Sequence, residues 1–155
     1  MKTTVKITSD HAGYDAKVNL AKRLENEGYN VELFGSKTNN NSDSYADAAI
    51  ELVNEIHKDG NPDENKNVKY VAFCGSGIGI EMTLNKFKGI RAARVTNENE
   101  SHLAKLHNNA NVLCMGGRLL EGNEIEKIFH NWENTEFEGG RHLERIKKLS
   151  SIGEN

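Results

Sequence analysis

The chain has 155 residues, 36% hydrophobic and 28% charged, with a net charge of -3, which fits one domain around a single core. Mean hydropathy is -0.69 and the pI about 6.1, so the surface is strongly polar and offers no basic footprint for nucleic acid. No apolar stretch approaches the ~18 residues of a spanning helix. Met1-Lys2-Thr3-Thr4 runs directly into a strand without a secretory apolar region, and the two cysteines, Cys74 and Cys114, have no CxxC spacing. These features predict a cytoplasmic protein in a reducing compartment, bound to neither membrane nor nucleic acid.

Strand-like and helix-like segments alternate along the chain. Residues 5–8 read as a first strand, followed by a helix over 12–27 with Leu20, Ala21 and Leu24 on one face. Gly28 suits the position just past a helix end. Residues 29–34 form a second strand, and 35–44 a polar loop. Ser44-Tyr45-Ala46-Asp47 resembles a capping box that opens a helix carrying Ala49, Leu52, Val53 and Ile56 at helical spacing. A hydrophilic loop over 60–69 holds the only proline, Pro62. Strands follow at 71–74, 90–95 and 112–115, with helices at 79–86 and 97–108 between them. Ile125, Ile128, Phe129 and Trp132 mark another helix, and 140–152 a last one.

Five strands alternating with helices predict a parallel sheet covered on both faces. In such folds ligands bind outside the carboxyl ends of the strands. Asp10 and His11 follow strand one, Cys74 follows strand three, and Gly116-Gly117-Arg118 follows strand five. The candidate chemistry is therefore expected along one edge of the sheet.

The most informative run is Phe73-Cys74-Gly75-Ser76-Gly77-Ile78-Gly79-Ile80. A strand that breaks into glycines and opens a helix aims several backbone N–H groups at one point, near the positive end of the helix dipole. A thiol beside a helix N-terminus ionises more easily than a free one. The run is not a dinucleotide fingerprint, because Ile80 stands where glycine or alanine is needed and no acid ends the next strand. It is not a serine-hydrolase elbow either, since Cys74 and Ile78 flank Ser76 where glycines would stand. A compact anion such as a sugar phosphate fits better.

Other residues leave two readings open. Cys114 lies in the continuous apolar run Val112-Leu113-Cys114-Met115 and reads as core. His57 and His130 lie on helix bodies, as surface or packing residues. His102 and His107 are five apart and share no helix face. His11 and His107 sit at element boundaries, where packing and function are both open. No histidine or cysteine spacing supports a metal site. Arg141 and Arg145, four apart after Gly139-Gly140, form either a solvated helix face or a phosphate clamp. Arg91 and Arg94 are packing or salt-bridge candidates.

Together these residues resemble the ribose-5-phosphate isomerase B family, which includes the galactose-6-phosphate isomerase subunits. The resemblance runs nearly end to end. It is carried by Ser9-Asp10-His11-Ala12-Gly13, Cys74-Gly75-Ser76-Gly77-Ile78-Gly79, residues 85–92 from Asn85 to Ala92, His107-Asn108-Asn109-Ala110-Asn111-Val112 and Glu138-Gly139-Gly140-Arg141-His142. Three positions depart from the family pattern: Ala46 replaces a proline, Lys105 a frequent arginine, and Asn109 a frequent aspartate.

The resemblance implies a Rossmann-like three-layer α/β/α sandwich with a five-stranded parallel sheet. It implies one domain over 1–155, with 140–155 a helix packing on a dimer partner. It further implies a homodimer, extending in some cases to a tetramer, with active sites built from both subunits and with no metal or organic cofactor. The reaction expected is the interconversion of ribose 5-phosphate and ribulose 5-phosphate. In that reading Cys74 is the base that moves a proton between C2 and C1, and His107 the acid that opens the sugar ring. Ser76 and the backbone of Gly75, Gly77, Ile78 and Gly79 stabilise the developing oxyanion. Asp10, His11 and Asn108 contact the sugar or its phosphate, and Arg118, Arg141 and Arg145 hold the phosphate. The alternatives are an isomerase of a six-carbon sugar phosphate such as allose or galactose 6-phosphate, a subunit active only with a different chain, or a non-catalytic sugar-phosphate sensor.

Overall fold

The computed structural model describes residues 2–155. Its strands are β1 (Thr4–Ser9), β2 (Asn30–Gly35), β3 (Val68–Cys74), β4 (Ala92–Arg94) and β5 (Val112–Gly116). Its helices are α1 (Tyr14–Asn26), α2 (Tyr45–Asp59), α3 (Ile78–Leu84), α4 (Glu98–Asn108), α5 (Gly122–Asn134) and α6 (Leu143–Ser150). The strands make one parallel sheet in the order β2-β1-β3-β5-β4. The chain winds outward from β1 to β2, then returns to place β3 on the other side of β1. That reversal lies between β1 and β3 and leaves a crevice at their carboxyl ends.

Side chains alternate across each strand and so divide the core in two. Val5, Ile7, Val71, Phe73, Leu113 and Met115 face α1, α4 and α5, where Leu20, Leu24, Ile125, Phe129 and Trp132 complete the layer. Tyr70, Ala72, Cys74, Val112 and Cys114 face α2 and α3, against Leu52, Ile56, Ile80 and Leu84. The expected three-layer sandwich is the architecture observed. Fully burying each large apolar side chain contributes roughly 1.5–3 kcal/mol. Trp132 is anchored further, its indole N–H donating to the Ala110 carbonyl at 2.9 Å.

Several boundaries differ from the sequence reading for local reasons. Residues 11–13 form a 3₁₀ turn before α1, because the Asp10 carboxylate accepts from the Gly13 N–H at 3.0 Å and tightens the entry. The Ser44 hydroxyl caps α2 through the N–H groups of Ala46 and Asp47, the side-chain half of the expected box. Strand β4 is only three residues long, since Arg91 leaves the ladder: its N–H goes to the Asn111 side chain and its guanidinium binds Asp63 and Ser150. The last helix begins at Leu143 rather than at 140. Gly139 (φ 73°) and Gly140 (φ 57°) are left-handed, so residues 140–142 form a separate 3₁₀ turn. No helix among the described residues is long and apolar enough to cross a membrane.

Candidate active site

Strand β3 delivers Cys74 to the crevice with 4% of its surface exposed. Its Sγ accepts a hydrogen bond from the Gly77 N–H at 3.1 Å, so a backbone donor is placed to hold negative charge on sulfur. Gly77 adopts φ +82°, and a β-carbon there would stand 2.9 Å from the Met115 carbonyl carbon. Only glycine fits both demands. The Ser76 hydroxyl accepts from the Ile78 N–H at 3.2 Å. Two of the loop's N–H groups, expected to face an anion, are thus given to the thiol and the hydroxyl. Ile78 is exposed at the mouth, and Gly79 lies against the Tyr45 ring.

Neighbouring elements hold this loop rigidly. The Arg94 Nε–H donates to the Ser76 carbonyl at 2.9 Å, while the Arg94 N–H donates to Glu81 at 2.6 Å. The Gly117 N–H donates to the Cys74 carbonyl at 2.9 Å, and the Arg118 N–H to the Gly75 carbonyl at 3.1 Å. The Arg118 side chain runs beside Gly75. Cys114, by contrast, is wholly buried, and burial pushes its thiol well above the usual range; its reading as core agrees with that.

Asp10 and His11 border the same crevice from the end of β1. Asp10 is buried and spends one oxygen on the Gly13 N–H. Asp43 fixes His11, accepting from its backbone N–H at 2.7 Å and lying 3.1 Å from its Nδ1. Burial would raise the Asp43 pKa, but the His11 N–H, the Ser36 hydroxyl and the His11 ring outweigh it and hold the carboxyl below its ordinary value. Sequence reasoning missed Asp43 and Glu81 and gave Arg94 only as a packing or salt-bridge candidate; Asp43 lies at the end of a polar loop outside the motifs, and Glu81 and Arg94 act on backbone atoms.

The remaining candidates do not share this edge. His107 and Asn108 end α4, and the chain then turns through the left-handed Asn109 (φ 45°) into β5. They precede the first residue of β5, whereas Cys74 pairs with its last, Gly116. The four strand steps between amount to about 13 Å. Asp10, His11, Cys74 and Arg118, the residues expected along one edge, lie there, whereas one chain does not bring Cys74 and His107 together. Around His107, the His142 ring stacks at 4.7 Å between centroids and the Glu138 carboxylate lies 3.5 Å from Nε2. Arg141 reaches the other Glu138 oxygen at 3.5 Å and is otherwise exposed. Arg141 and Arg145 are not on one helix face, because Arg141 belongs to the 3₁₀ turn before α6. The His142 pKa is lowered by burial first, then by Arg141, His107 and Arg145, against the pull of Glu138.

Comparison with known proteins agrees with this geometry. The family described as Ribose/Galactose Isomerase matches residues 5–149. A Mycoplasma genitalium protein named "Probable ribose-5-phosphate isomerase B" is 35% identical, over 96% of this chain and 95% of its own length. D-erythrulose-4-phosphate isomerase of Pectobacterium atrosepticum is 30% identical, over 94% of this chain and 92% of its own. The crystal structure of ribose-5-phosphate isomerase B from Mycoplasma genitalium with bound ribulose-5-phosphate superposes with a TM-score of 0.86 at 34% identity, covering 97% of this chain and 96% of that one. With the motif loop, the crevice and the sheet order all in place, the chain belongs to the Ribose/Galactose Isomerase family.

Proposed function

We propose that this chain is an aldose–ketose isomerase that interconverts ribose 5-phosphate and ribulose 5-phosphate. The observation that carries the reading is the Cys74 thiol, fixed by the Gly77 N–H at the switch point of the sheet. The open-chain sugar phosphate lies across the crevice. Cys74, as thiolate, removes the proton from C2 of the aldose, and the electrons of that C–H bond form an enediolate. The proton returns to C1 while the O2 hydroxyl proton passes to O1, which gives the ketose with no atom gained or lost. A positioned base of this kind contributes roughly 10²–10⁴-fold. Ser76 and the loop N–H groups not taken by the thiol and the hydroxyl stabilise the oxygen on which charge grows.

Turnover also needs ring opening and a hold on the phosphate. His107, Asn108, Arg141 and Arg145 lie beyond reach of the Cys74 of their own chain, and a second copy supplies them. His107 then protonates the ring oxygen, while Arg141 and Arg145 join the Arg118 and His11 of the first copy at the phosphate. Since the phosphate takes no part in bond making, its binding energy holds the reacting carbons in register. A dimer is also supported by a groove beside the short edge strand β4. Leu103, Leu149 and Ile152, exposed by 37%, 49% and 63%, line it with β4 itself. The 140–155 segment, which borders this groove, packs on the partner in this reading.

A second reading, a substrate of another length, is favoured by the likeness to an erythrulose-4-phosphate isomerase for four carbons and by the family description Ribose/Galactose Isomerase for six. A coupled assay of the purified chain against ribose 5-phosphate, erythrulose 4-phosphate, allose 6-phosphate and galactose 6-phosphate decides between them. Highest kcat/KM on ribose 5-phosphate is expected. Preference for another sugar transfers the mechanism to that substrate, and binding without turnover of any makes the protein a sensor.

A further inference from the structure

At the amino end of β3 and β5, away from the Cys74 crevice, a cavity of about 580 Å³ opens between α4, α5 and the loop before β3. Three lysines converge on it: Lys66 from that loop, Lys69 from β3 and Lys105 from the last turn of α4. The Lys105 ammonium lies 4.7 Å from the centre of the Trp132 ring, and its hydrogen bond to the Trp132 carbonyl is a long one, at 3.3 Å. Among the described residues, lysine ion pairs are formed by Lys6, Lys58 and Lys147, and by none of these three.

The carboxylates beside the cavity do not cancel this charge. Asp63 is spent on Arg91 and Asn111, and Glu133 on the Tyr29 hydroxyl. That leaves the exposed Glu136 against three ammonium groups. Burial first, then the neighbouring Lys69, brings the Lys105 pKa down to about 8, and burial lowers that of Lys69 against the pull of Glu133. Cations that are desolvated, mutually repelling and unpaired are stabilised by an anion placed among them. Buried lysines elsewhere in the chain are provided for. Lys6 pairs with Glu55 and Asp59 at 2.9 and 2.8 Å, and Lys17 donates to two carbonyls.

We propose that this cavity binds a small, multiply charged anion of the phosphate class, held by Lys69 and Lys105 with Lys66 at the rim. Two half-buried ammonium groups and a third in solvent call for more than one negative charge, which a phosphate group carries and a single carboxylate does not. The volume admits a diphosphate or a phosphorylated metabolite, and the half-buried Phe137 offers an apolar wall for the body of the latter. The cavity is separate from the half that carries His107: none of His107, Asn108, Arg141 and Arg145 lines it. Lys105, two residues before His107, projects from another face of α4. The inference is independent of the proposed isomerisation.

Trp132, the only tryptophan of the chain, is 1% exposed and lies under Lys105, so it reports on this cavity. The test is a titration of the full chain with sodium pyrophosphate at constant ionic strength, read by Trp132 fluorescence and by calorimetry, with the folding of each variant checked by circular dichroism. A saturable fluorescence change is expected. Lys69→Gln should weaken it at least about tenfold, the scale of one charge-assisted contact, and the rim change Lys66→Gln by a smaller factor. Arg141→Ala should leave the fluorescence titration as in wild type. Adenosine monophosphate, titrated in the same way, separates the two sources: tighter binding than pyrophosphate supports the site as one for a phosphorylated metabolite, weaker binding as one for an inorganic diphosphate. Four results overturn the proposal: no fluorescence change and no heat with the wild-type chain, an equal response to sodium chloride, loss of the response in Arg141→Ala, or unchanged affinity in folded Lys69→Gln. Should Lys69→Gln not fold, unchanged affinity in Lys66→Gln takes its place.

Discussion

At the carboxyl end of the sheet, Cys74 is 4% exposed and its loop is tied by backbone hydrogen bonds to β5 on one side and by the Arg94 side chain on the other. At the amino end, the Arg141 side chain is 65% exposed and holds only Glu138. The first region is finished within one chain, with every group oriented before a ligand arrives. The second presents Arg141 and the half-exposed His107 ring to the outside, with Glu138 as their acidic partner among the described residues. In the proposed function, rigidity is placed where a proton must move between carbons and loose charge where an anion must be captured, and the two ends are two halves of one site contributed by different copies.

The sharpest way to break that comparison is to disable each half separately. Cys74→Ser should lose about 10³-fold in kcat, the scale of a positioned base, with inhibitor binding kept. His107→Ala should lose turnover of the cyclic sugar while retaining affinity for an open-chain inhibitor. Unfolding and refolding the two variants together gives mixed dimers with one intact site, so about a quarter of wild-type activity should return if the halves come from different copies. An inactive mixture, with mixed dimers present by mass spectrometry, would mean each chain works alone.

The rigid half can be tested on its own. Gly77→Ala places a β-carbon at φ +82° and 2.9 Å from the Met115 carbonyl carbon, and should destabilise by about 2–3 kcal/mol through backbone strain and the clash. A urea midpoint equal to wild type would show that the loop is softer than its hydrogen bonds indicate. For the loose half, Arg141→Ala should weaken a phosphorylated inhibitor by about 2 kcal/mol and leave its unphosphorylated analogue nearly unaffected, with Arg141→Lys intermediate. Equal weakening of both ligands would assign Arg141 to the fold or the dimer instead.

The smallest effect concerns a cation buried beside the carboxyl-end crevice. Burial brings the Lys17 pKa down to about 8, although its Nζ donates to the Phe34 and Ser36 carbonyls at 2.8 and 2.6 Å. The unfolded chain keeps this proton up to about pH 10.4. Between those values the unfolded state binds more protons, so the Lys17 contribution to stability rises with pH from about 8 to about 10. Lys17→Met should remove that rise, seen as a smaller difference between urea midpoints at pH 7.5 and pH 10.

Most of the fold was legible because two periodicities carried it. Leu52, Val53 and Ile56 mark α2, and the apolar run ending at Cys74 marks β3 whatever lies around them. What escaped depended on partners distant in sequence. Strand β4 is cut short because Arg91 bonds Asp63 and Asn111, and no local pattern encodes that exchange. The site divides the same way. Asp10, His11, Cys74, Gly75, Ser76, Gly77 and Arg118 were legible as strand-end residues of a parallel sheet, and they meet at the crevice. His107, Asn108 and Arg141 were legible as motifs, and His107 and Asn108, ending the helix before a parallel strand, belong at the opposite end, but that the 138–142 turn folds back against them depends on partners distant in sequence. Their spacing could not reveal that.

The strand order also has a consequence for how the chain is made. Strand β4 pairs only with β5, which follows it in sequence, and the wall that confines Gly77 is Met115 of β5. During synthesis the segment from Cys74 to Val95 therefore emerges with its central neighbour still missing. It can close only after Gly117 and Arg118 have left the ribosome and their N–H groups reach the Cys74 and Gly75 carbonyls. Pairings of this range are slow and leave strand edges open in the meantime. A ribosome stalled before residue 112 should hold a nascent chain whose Cys74 is open to thiol reagents, and one stalled well beyond α5 a chain whose Cys74 is protected.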